Sequence, residues 1–236
     1  MSEKVIVTRA GHGGQSPGAV YPPYTEKDET LKIDAALVAA LARKYNGHRV
    51  VRARPADVTL SLADGVEIAR REGAHVYIDI HFNAGGGTGP ETYVALTPTA
   101  ADLSLARAVH GALYGYLGPA FKVPDRGIKK VDFYVLRNTR DIPSVLVEIL
   151  FLDHSADRAA ISAPRFYEAV GEALADGVAA FLGLPSRENQ DERIRELEAE
   201  VARLKTRDAK KHDLINKGLW HVAEAEKFLR EAHSLM

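Results

Sequence analysis

The sequence predicts an α/β protein: a sheet of about six strands covered by helices on both faces, followed by a C-terminal helical appendage. Two observations lead to this prediction. Up to about residue 184, short apolar runs of strand length alternate with segments of helical periodicity. Beyond Ser186, the apolar residues instead follow the three- and four-residue spacing of a coiled coil. We therefore expect one folded domain over residues 1–184, a linker over 185–192 and a helical domain over 193–236.

The alternation places the elements of the first domain along the chain. Strands are expected at Val5–Arg9, His48–Arg54, Val76–His81, Glu91–Leu96, Phe133–Arg137 and Val145–Leu150. Helices are expected at about Asp28–Lys44, Leu60–Arg71, Ala101–Leu117 and Pro164–Leu182. Gly183 and Pro185 predict the end of the last helix, because glycine commonly terminates a helix and proline cannot continue one.

The apolar stripe of the C-terminal segment is regular at first and then interrupted. It runs through Ile194, Leu197, Val201, Leu204, Ile215, Val222, Leu229 and Met236. Polar or small residues occupy the same register at Asp208, Lys211 and Gly218, so the segment is either one imperfect long helix or a hairpin that turns within Thr206–Asp213. Because so narrow a stripe does not fold alone, self-association is expected in preference to packing on the preceding domain.

Composition narrows the chemistry that this chain can perform. Its 236 residues carry a net charge of −1, so no global field would recruit nucleic acid or an anionic membrane. There is no cysteine, so any metal has to be held by histidines and carboxylates. The N-terminus lacks the apolar stretch of a secretory signal and no run approaches a membrane span, so we expect synthesis in the cytoplasm without membrane insertion.

A single carboxylate, Glu148, interrupts the apolar run Pro143–Leu152. Burying an ionised glutamate is costly unless a cation or a proton compensates its charge. Glu148 therefore has a cationic partner, or it is held partly protonated for proton transfer. A metal-assisted hydrolase would provide both reasons at once.

Candidate metal ligands lie in two glycine-rich loops and at one helix start. His12 lies within Gly11–Gly14, directly after the first strand, and His81 ends the third strand, where α/β sheets gather their ligand sites. Acidic residues at a helix start usually interact with the helix dipole, but one of them could point into the site, and spacing alone does not choose between Glu26 and Glu29. Two histidines and one glutamate would leave a zinc ion a fourth position for water.

Five motifs follow one another in order between Val5 and Leu182. They are Gly11-His-Gly-Gly, Glu26-Lys-Asp, Ile80-His-Phe-Asn-Ala, Arg126-Gly with Phe133-Tyr-Val-Leu-Arg-Asn, and Pro143-Ser-Val-Leu-Val-Glu-Ile-Leu-Phe-Leu. Together they resemble the zinc-dependent N-acetylmuramoyl-L-alanine amidases of the amidase-3 type, which occur in bacterial autolysins and phage endolysins. The resemblance implies a mixed twisted sheet flanked by helices, one catalytic zinc ion, and hydrolysis of the peptidoglycan amide between N-acetylmuramic acid and L-Ala.

The resemblance also implies roles for individual residues. His12, Glu26 and His81 correspond to the zinc ligands, Glu148 to the catalytic general base, and Asn83 and Arg126 to residues near the substrate groove. Glu26 is thereby preferred to Glu29. The chain departs from the family pattern at Arg9, where an acidic or neutral residue is common, and at Tyr21-Pro-Pro-Tyr24, where glycines are frequent.

The biological role expected from these features is that of a phage or prophage endolysin, made in the cytoplasm and acting on the cell wall after release. A bacterial autolysin or mother-cell lysis amidase is the alternative, followed by a zinc endopeptidase of the stem peptide and a wall-binding protein without catalysis. The C-terminal segment could also bind wall through Trp220, an aromatic residue on the outward side of its heptads.

Overall fold

The structure is a computed structural model that describes residues 3–233, with the side chains of all of these except 189–192, 225 and 228–233. Met236 of the predicted apolar stripe lies outside this range, as does the side chain of Leu229. The chain divides into two compact units, Met1–Arg187 and Glu188–Met236.

The described residues of the first unit, from residue 3 onward, form eight strands and six helices before the helix that begins at Arg187. The strands are β1 (Lys4–Ala10), β2 (Val20–Tyr21), β3 (Tyr24–Thr25), β4 (His48–Arg52), β5 (Val76–Asn83), β6 (Glu91–Ala95), β7 (Ile128–Val131) and β8 (Ser144–Phe151). The helices are α1 (Glu26–Lys44), α2 (Leu62–Arg71), α3 (Ala100–Phe121), α4 (Tyr134–Asn138), α5 (Ser155–Ile161) and α6 (Phe166–Leu182).

Six of the strands form one mixed sheet in the order β4-β1-β5-β8-β6-β7, and β2 and β3 form a separate hairpin. The pairs from β4 to β8 are parallel, β6 runs antiparallel to β8, and β7 is parallel to β6. The carboxyl ends of β1 and β5 therefore lie at the same edge of the sheet. This confirms the mixed α/β fold expected from the sequence.

The sheet has an apolar layer on each face. On one face, α1, α3 and α6 pack over Ile78, Ile80 and Val147, with Leu37 and Leu174 among the buried helix residues. On the other face, α2 and α4 cover a smaller core, whose members include Val7, Tyr77, Leu146, Val66 and Val135. Ile78 and Ile80 of β5 belong to one core and Tyr77 to the other, because successive side chains of a strand point to opposite faces of the sheet.

One predicted strand, Phe133–Arg137, is wrong: this segment forms the helix α4. Val135 and Leu136 are buried consecutively, which suits one turn of helix facing the core and not the alternate burial of a strand. The sixth strand is instead β7, whose sequence Ile-Lys-Lys-Val hides the apolar pattern. β7 is an edge strand, where lysines are favoured because they discourage pairing with another chain.

The second unit is one helix, α7 (Arg187–His233). The predicted linker over 185–192 is therefore helical from Arg187 onward, and the hairpin alternative is wrong because no turn occurs within 206–213. Charged residues maintain the helix across its polar interruption through pairs such as Asp213–Lys217, four residues apart. Within residues 3–233, none of the helices combines the length and apolar character that crossing a bilayer requires.

Candidate active site

Three side chains from separate elements meet at the carboxyl edge of the sheet. His12 follows β1, Glu26 is the first residue of α1, and His81 lies in β5. Glu26 Oε2 lies 3.1 Å from His12 Nε2, and Glu26 Oε1 lies 2.9 Å from His81 Nδ1. One nitrogen or oxygen atom of each residue lies within 4.8 Å of the others, so the three could hold one metal ion together.

Glycines make this close approach possible. A Cβ atom at Gly11 would lie 2.4 Å from the ring of His81. At Gly18, whose φ of +70° already favours glycine, a Cβ atom would lie 2.4 Å from Glu26 Oε2. His12 itself has φ 63°, a left-handed conformation that a residue with a side chain adopts at a cost of about 1 kcal/mol or more and that is common at functional sites.

The choice between Glu26 and Glu29 is decided by where the two side chains point. Glu26 also accepts hydrogen bonds from the backbone N–H groups of Ala19 (2.8 Å) and Phe82 (3.1 Å), which fix its carboxylate between the two imidazoles. Glu29 instead binds Lys32 Nζ at 2.9 Å and the hydroxyl of Tyr167. Glu29 therefore stabilises the packing of α1 and lies apart from the histidines.

Hydrogen bonds join the carboxylate of Glu26 to both imidazoles. Burial raises the pKa of Glu26, but hydrogen bonds from His12 and His81 outweigh it and bring the pKa to about 2. Burial lowers the pKa of His81, but Asp79 and Glu26 outweigh it and bring the pKa to about 10. Glu26 is therefore a carboxylate at neutral pH, which is the form that binds a metal cation.

Behind His81 lies a buried ion pair. Arg9 Nη1 donates to both carboxylate oxygens of Asp79, at 3.0 and 3.1 Å, and Asp79 Oδ1 lies 3.5 Å from His81 Nε2. A carboxylate behind an imidazole orients the ring. Arg9, which departs from the family pattern, thus fixes Asp79 beside the ring of His81. The other histidine, His12, has a different neighbour: its Nδ1 lies 2.9 Å from Ser16 Oγ.

Glu148 lies beside His81, because these two residues are partners in the pairing of β5 with β8. Its Oε2 atom is buried and has no hydrogen-bond partner among the residues that the structure describes. Burial raises the pKa of Glu148 to about 7; His81 opposes the rise, while the negative charges of Glu26 and Glu91 add to it. The carboxyl group is therefore poised to exchange a proton near neutral pH.

Glu91 is a residue of the site that the sequence pattern does not single out. It lies directly across from Glu148 in the pairing of β6 with β8. Its carboxylate accepts hydrogen bonds from Asn83 Nδ2 (2.6 Å), Arg126 Nε (2.6 Å), the Tyr93 hydroxyl (2.7 Å) and Lys129 Nζ. Burial raises the pKa of Glu91, but these donors outweigh it and lower the pKa below the usual value. Both predicted groove residues, Asn83 and Arg126, are thus bound to one unpredicted carboxylate.

The hairpin β2–β3 carries the second departure from the family pattern. Its turn contains a cis peptide bond between Pro22 and Pro23, and the guanidinium of Arg158 lies 3.9 Å from the centre of the Tyr21 ring. The hairpin ends at Thr25 and α1 begins at Glu26. The tyrosines of the hairpin, which replace the glycines common in the family, therefore leave the carboxylate of Glu26 beside the histidines.

Comparison with known proteins identifies the family of this chain. The family model described as N-acetylmuramoyl-L-alanine amidase, of the amidase-3 type, matches residues 6–180. The endolysin of Bacillus phage SPP1 is 34% identical over 187 residues, which are 78% of this chain and 68% of that protein. The sporulation-specific N-acetylmuramoyl-L-alanine amidase of Bacillus subtilis strain 168 is 33% identical over 71% of this chain and 64% of its own length. The chain thus spans about two thirds of these relatives.

Solved structures agree in fold. The catalytic domain of the amidase CwlV from Bacillus (Paenibacillus) polymyxa var. colistinus superposes with a TM-score of 0.67 at 30% identity, covering 77% of this chain and 99% of that one. The amidase from Clostridium difficile 630 has a TM-score of 0.71 at 29% identity, covering 78% and 98%. The chain belongs to the N-acetylmuramoyl-L-alanine amidase family of the amidase-3 type.

Proposed function

We propose that this protein is a zinc-dependent amidase that hydrolyses the bond between the lactyl group of N-acetylmuramic acid and L-Ala of the peptidoglycan stem peptide. The observation that carries the proposal is the placement of Glu148 beside His81, next to a cluster of two histidines and one buried glutamate. A partly protonated carboxyl group and a metal-binding cluster on adjacent strands are the two parts that metal-assisted amide hydrolysis requires.

The donor set fits zinc. His12, Glu26 and His81 supply two nitrogen ligands and one oxygen ligand, and the chain has no cysteine that would compete for the ion. Three protein ligands leave one position open, as catalytic zinc sites do. When bound, zinc polarises the scissile carbonyl and lowers the pKa of the attacking water. Asp79 would keep the ring of His81 in the orientation that the ion needs.

Glu148 acts as the general base in this proposal. Its carboxylate removes a proton from the attacking water as the water oxygen adds to the scissile carbonyl carbon. The bond to the L-Ala nitrogen then breaks, and Glu148 returns the proton to that nitrogen. A pKa raised to about 7 suits both transfers, because a group that titrates near the working pH accepts and donates with similar ease. A bound cation would lower this pKa, since it favours the charged carboxylate.

The product identifies the bond that is cut. Full-length protein, stripped with a chelator and reloaded with zinc, is incubated with purified muropeptides, and each new amino group is identified by mass spectrometry. We expect a free amino group on L-Ala and intact N-acetylmuramic acid, with activity lost on chelation. New amino groups within the stem peptide would favour an endopeptidase and overturn the amidase assignment.

The ligand set has its own test. The His81→Ala variant should bind zinc at least 100-fold more weakly, because a ligand is lost outright, while Glu29→Ala serves as the control and should bind zinc normally. Zinc content is measured after dialysis against a buffered zinc solution. A His81→Ala protein that retains stoichiometric zinc would contradict the assigned ligands.

We further propose that the protein acts on the wall as an endolysin, after a separate factor has made the cell membrane permeable. Support comes from the similarity to the phage SPP1 endolysin, although the sporulation-specific relative keeps an autolysin as the alternative. Expressing the full chain in a host with and without an inducible pore-forming protein tests the role. Lysis is expected only when both are made, and lysis without the pore-former would contradict it.

We propose also that α7 associates with a second copy of itself. Its stripe of Ile194, Leu197, Val201 and Leu204 is exposed, and β-branched residues alternating with leucine favour parallel two-stranded pairing. In that pairing, Arg193 and Glu200 of one copy would lie beside Glu198 and Lys205 of the other, with opposite charges.

Sedimentation of the full-length protein tests this pairing. The double variant Leu197→Asp and Val201→Asp should convert a dimer to a monomer, whereas Ala199→Asp on the outward side should leave the dimer intact. A wild-type monomer at micromolar concentration would overturn the proposal. If the double variant instead loses binding to isolated wall while its mass stays that of a monomer, the stripe serves wall binding.

A further inference from the structure

Two basic side chains reach the surface from the buried carboxylate of Glu91. The side chains of Arg126 and Lys129 are 33% and 37% exposed, whereas that of Glu91 is 2% exposed. Two cations and one carboxylate leave one positive charge unbalanced. Because Glu91 is buried and already satisfied, this charge reaches the surface on the side chains of Arg126 and Lys129.

Arg126 is held rigidly for a surface residue. Its Nε donates to Glu91 at 2.6 Å, its guanidinium lies 4.8 Å from the centre of the Phe151 ring, and its backbone N–H donates to Pro90 at 3.2 Å. Within residues 3–233, neither Nη1 nor Nη2 of Arg126 has a protein acceptor. The two terminal nitrogens are therefore available to bind a planar anion with two parallel hydrogen bonds.

The loop that carries Arg126 is itself anchored. Asp125 Oδ1 accepts from the backbone N–H of Gly127 at 2.7 Å and contacts Nε2 of His110 at 2.8 Å. His110 is buried in α3 and contacts Thr92 Oγ1 of β6 at 2.9 Å through its other nitrogen. The loop is therefore tied to α3 and to the sheet, which limits the freedom that binding an anion would otherwise remove.

We propose that Arg126 and Lys129, positioned by Glu91, form a subsite for the free α-carboxylate of the second stem-peptide residue. The inference rests on the proposed amidase function, because it places the scissile bond at the His12, Glu26 and His81 cluster. The second residue of the stem is a glutamate joined through its side-chain carboxyl group, so its α-carboxylate is either free or amidated. The enzyme would prefer the free acid.

The spacing of the strands supports the second residue in particular. His81, Glu148 and Glu91 are register partners on three successive strands, β5, β8 and β6. Neighbouring strands lie about 4.8 Å apart, so Glu91 lies about 10 Å from His81. An extended peptide advances about 3.4 Å per residue, which puts the second residue about 7 Å from the scissile bond and within reach of a long basic side chain.

Two synthetic substrates test the subsite. N-acetylmuramoyl-L-Ala-D-glutamate carries a free α-carboxylate and N-acetylmuramoyl-L-Ala-D-isoglutamine an uncharged α-amide, and in both compounds the γ-carboxyl group is blocked as a methylamide, as it is blocked in the stem peptide. We expect the zinc-loaded wild type to prefer the acid by about tenfold in kcat/KM, mostly through KM, since a charge-assisted pair of hydrogen bonds is lost with the amide. Arg126→Gln should abolish the preference while still cleaving the amide substrate, and Arg126→Lys should keep part of it.

A neighbouring lysine provides the matched control. Lys130 follows Lys129 in β7 and points to the other face of the strand, so Lys130→Gln should keep the full preference while Lys129→Gln weakens it. Thermal melts of each variant establish that it is folded. Equal kcat/KM for both substrates in the wild type, or an unchanged preference in Arg126→Gln, would overturn the subsite.

Binding of the product dipeptides separates this inference from the amidase assignment. With the γ-carboxyl group blocked as a methylamide in both, L-Ala-D-glutamate should bind zinc-loaded wild type about tenfold more tightly than L-Ala-D-isoglutamine in calorimetry, and Arg126→Gln should remove the difference. If muropeptides are not cleaved but this difference persists, the amidase assignment fails and the subsite stands. If cleavage occurs at L-Ala without any difference, the subsite alone fails.

Discussion

Glu148 and Glu91 are the same residue type, on adjacent strands, directly opposite each other in one register, and yet they have opposite electrostatic character. Glu148 has a buried oxygen without a partner among the described residues, and burial raises its pKa to about 7. Burial raises the pKa of Glu91 as well, but Lys129, Tyr93 and Arg126 outweigh it and lower the pKa below the usual value. Adjacent positions in the sheet therefore do not give the two carboxyl groups the same pKa: burial dominates at Glu148, and the donors outweigh burial at Glu91.

The difference also assigns the two residues different tasks. A carboxyl group that titrates near neutral pH can move protons, whereas a carboxylate saturated by donors cannot accept one without losing them. The proposed general base and a carboxylate held by donors thus lie one strand apart. Glu91 also affects Glu148, because its negative charge contributes to the raised pKa of Glu148.

The largest effect should come from removing the reactive carboxylate. Glu148→Gln should lower turnover of muropeptides by a factor of about 10² to 10⁴, the usual contribution of a general base, and leave the zinc content unchanged. Glu91→Gln should retain a measurable turnover number and lose mainly affinity. Steady-state kinetics and metal analysis check both. Comparable losses of turnover in the two variants would remove the distinction between them.

In the metal-free protein, Glu148→Gln and Glu91→Gln should change the free energy of unfolding in opposite directions. At pH 8, the shift of Glu148 from 4.5 to about 7 corresponds to a penalty of about 3 kcal/mol, at about 1.4 kcal/mol per unit, so Glu148→Gln should raise the free energy of unfolding by up to this amount. Glu91→Gln should lower it by about 2 kcal/mol, since a buried acceptor of several donors is lost. Urea titrations of chelator-treated protein measure both.

The effects of the two carboxyl groups on stability depend on pH in different ways. Because the folded-state pKa of Glu148 is raised, its penalty is absent below pH 4.5, develops up to about pH 7 and is complete above it. Because the folded-state pKa of Glu91 is lowered, its contribution is present above the unfolded-state value and is lost as the pH falls below it. A stabilisation by Glu148→Gln that persists at pH 4 would contradict this account.

The smallest predicted effect is a shift in the pH dependence of activity when Glu91 is changed to Gln. In the proposed mechanism activity requires ionised Glu148, so activity should fall as the pH drops. The midpoint should lie between the ordinary pKa of 4.5 and the value of about 7, because a bound zinc ion would favour the carboxylate. Glu91→Gln removes one negative neighbour and should move this midpoint to lower pH by a few tenths of a unit. The profile of kcat/KM is the measurement, and Lys130→Gln is the control.

Much of the molecule was predictable because local pattern specified it. The strands that became β1, β5 and β8 are strongly apolar and were predicted nearly to their ends. The sequence pattern does not predict β7, because two lysines interrupt its apolar residues. It predicts a strand at Phe133–Arg137 where the structure has α4, because a short apolar run fits either element. The long tail helix was one of two predicted alternatives, since its charged residues suit a helix surface as well as a turn.

The sequence by itself determined the α/β fold, the family, and the residue types at the candidate site. His12, His81 and Glu148 stand out because glycines surround the first, a glycine loop follows the second and an apolar strand encloses the third. Only the tertiary structure decided which side chains share a space. Glu91 is separated from Glu148 by 57 residues in the chain but faces it across one strand pair. A buried carboxyl group's pKa depends on charges a few ångströms away, and long-range pairing sets those distances.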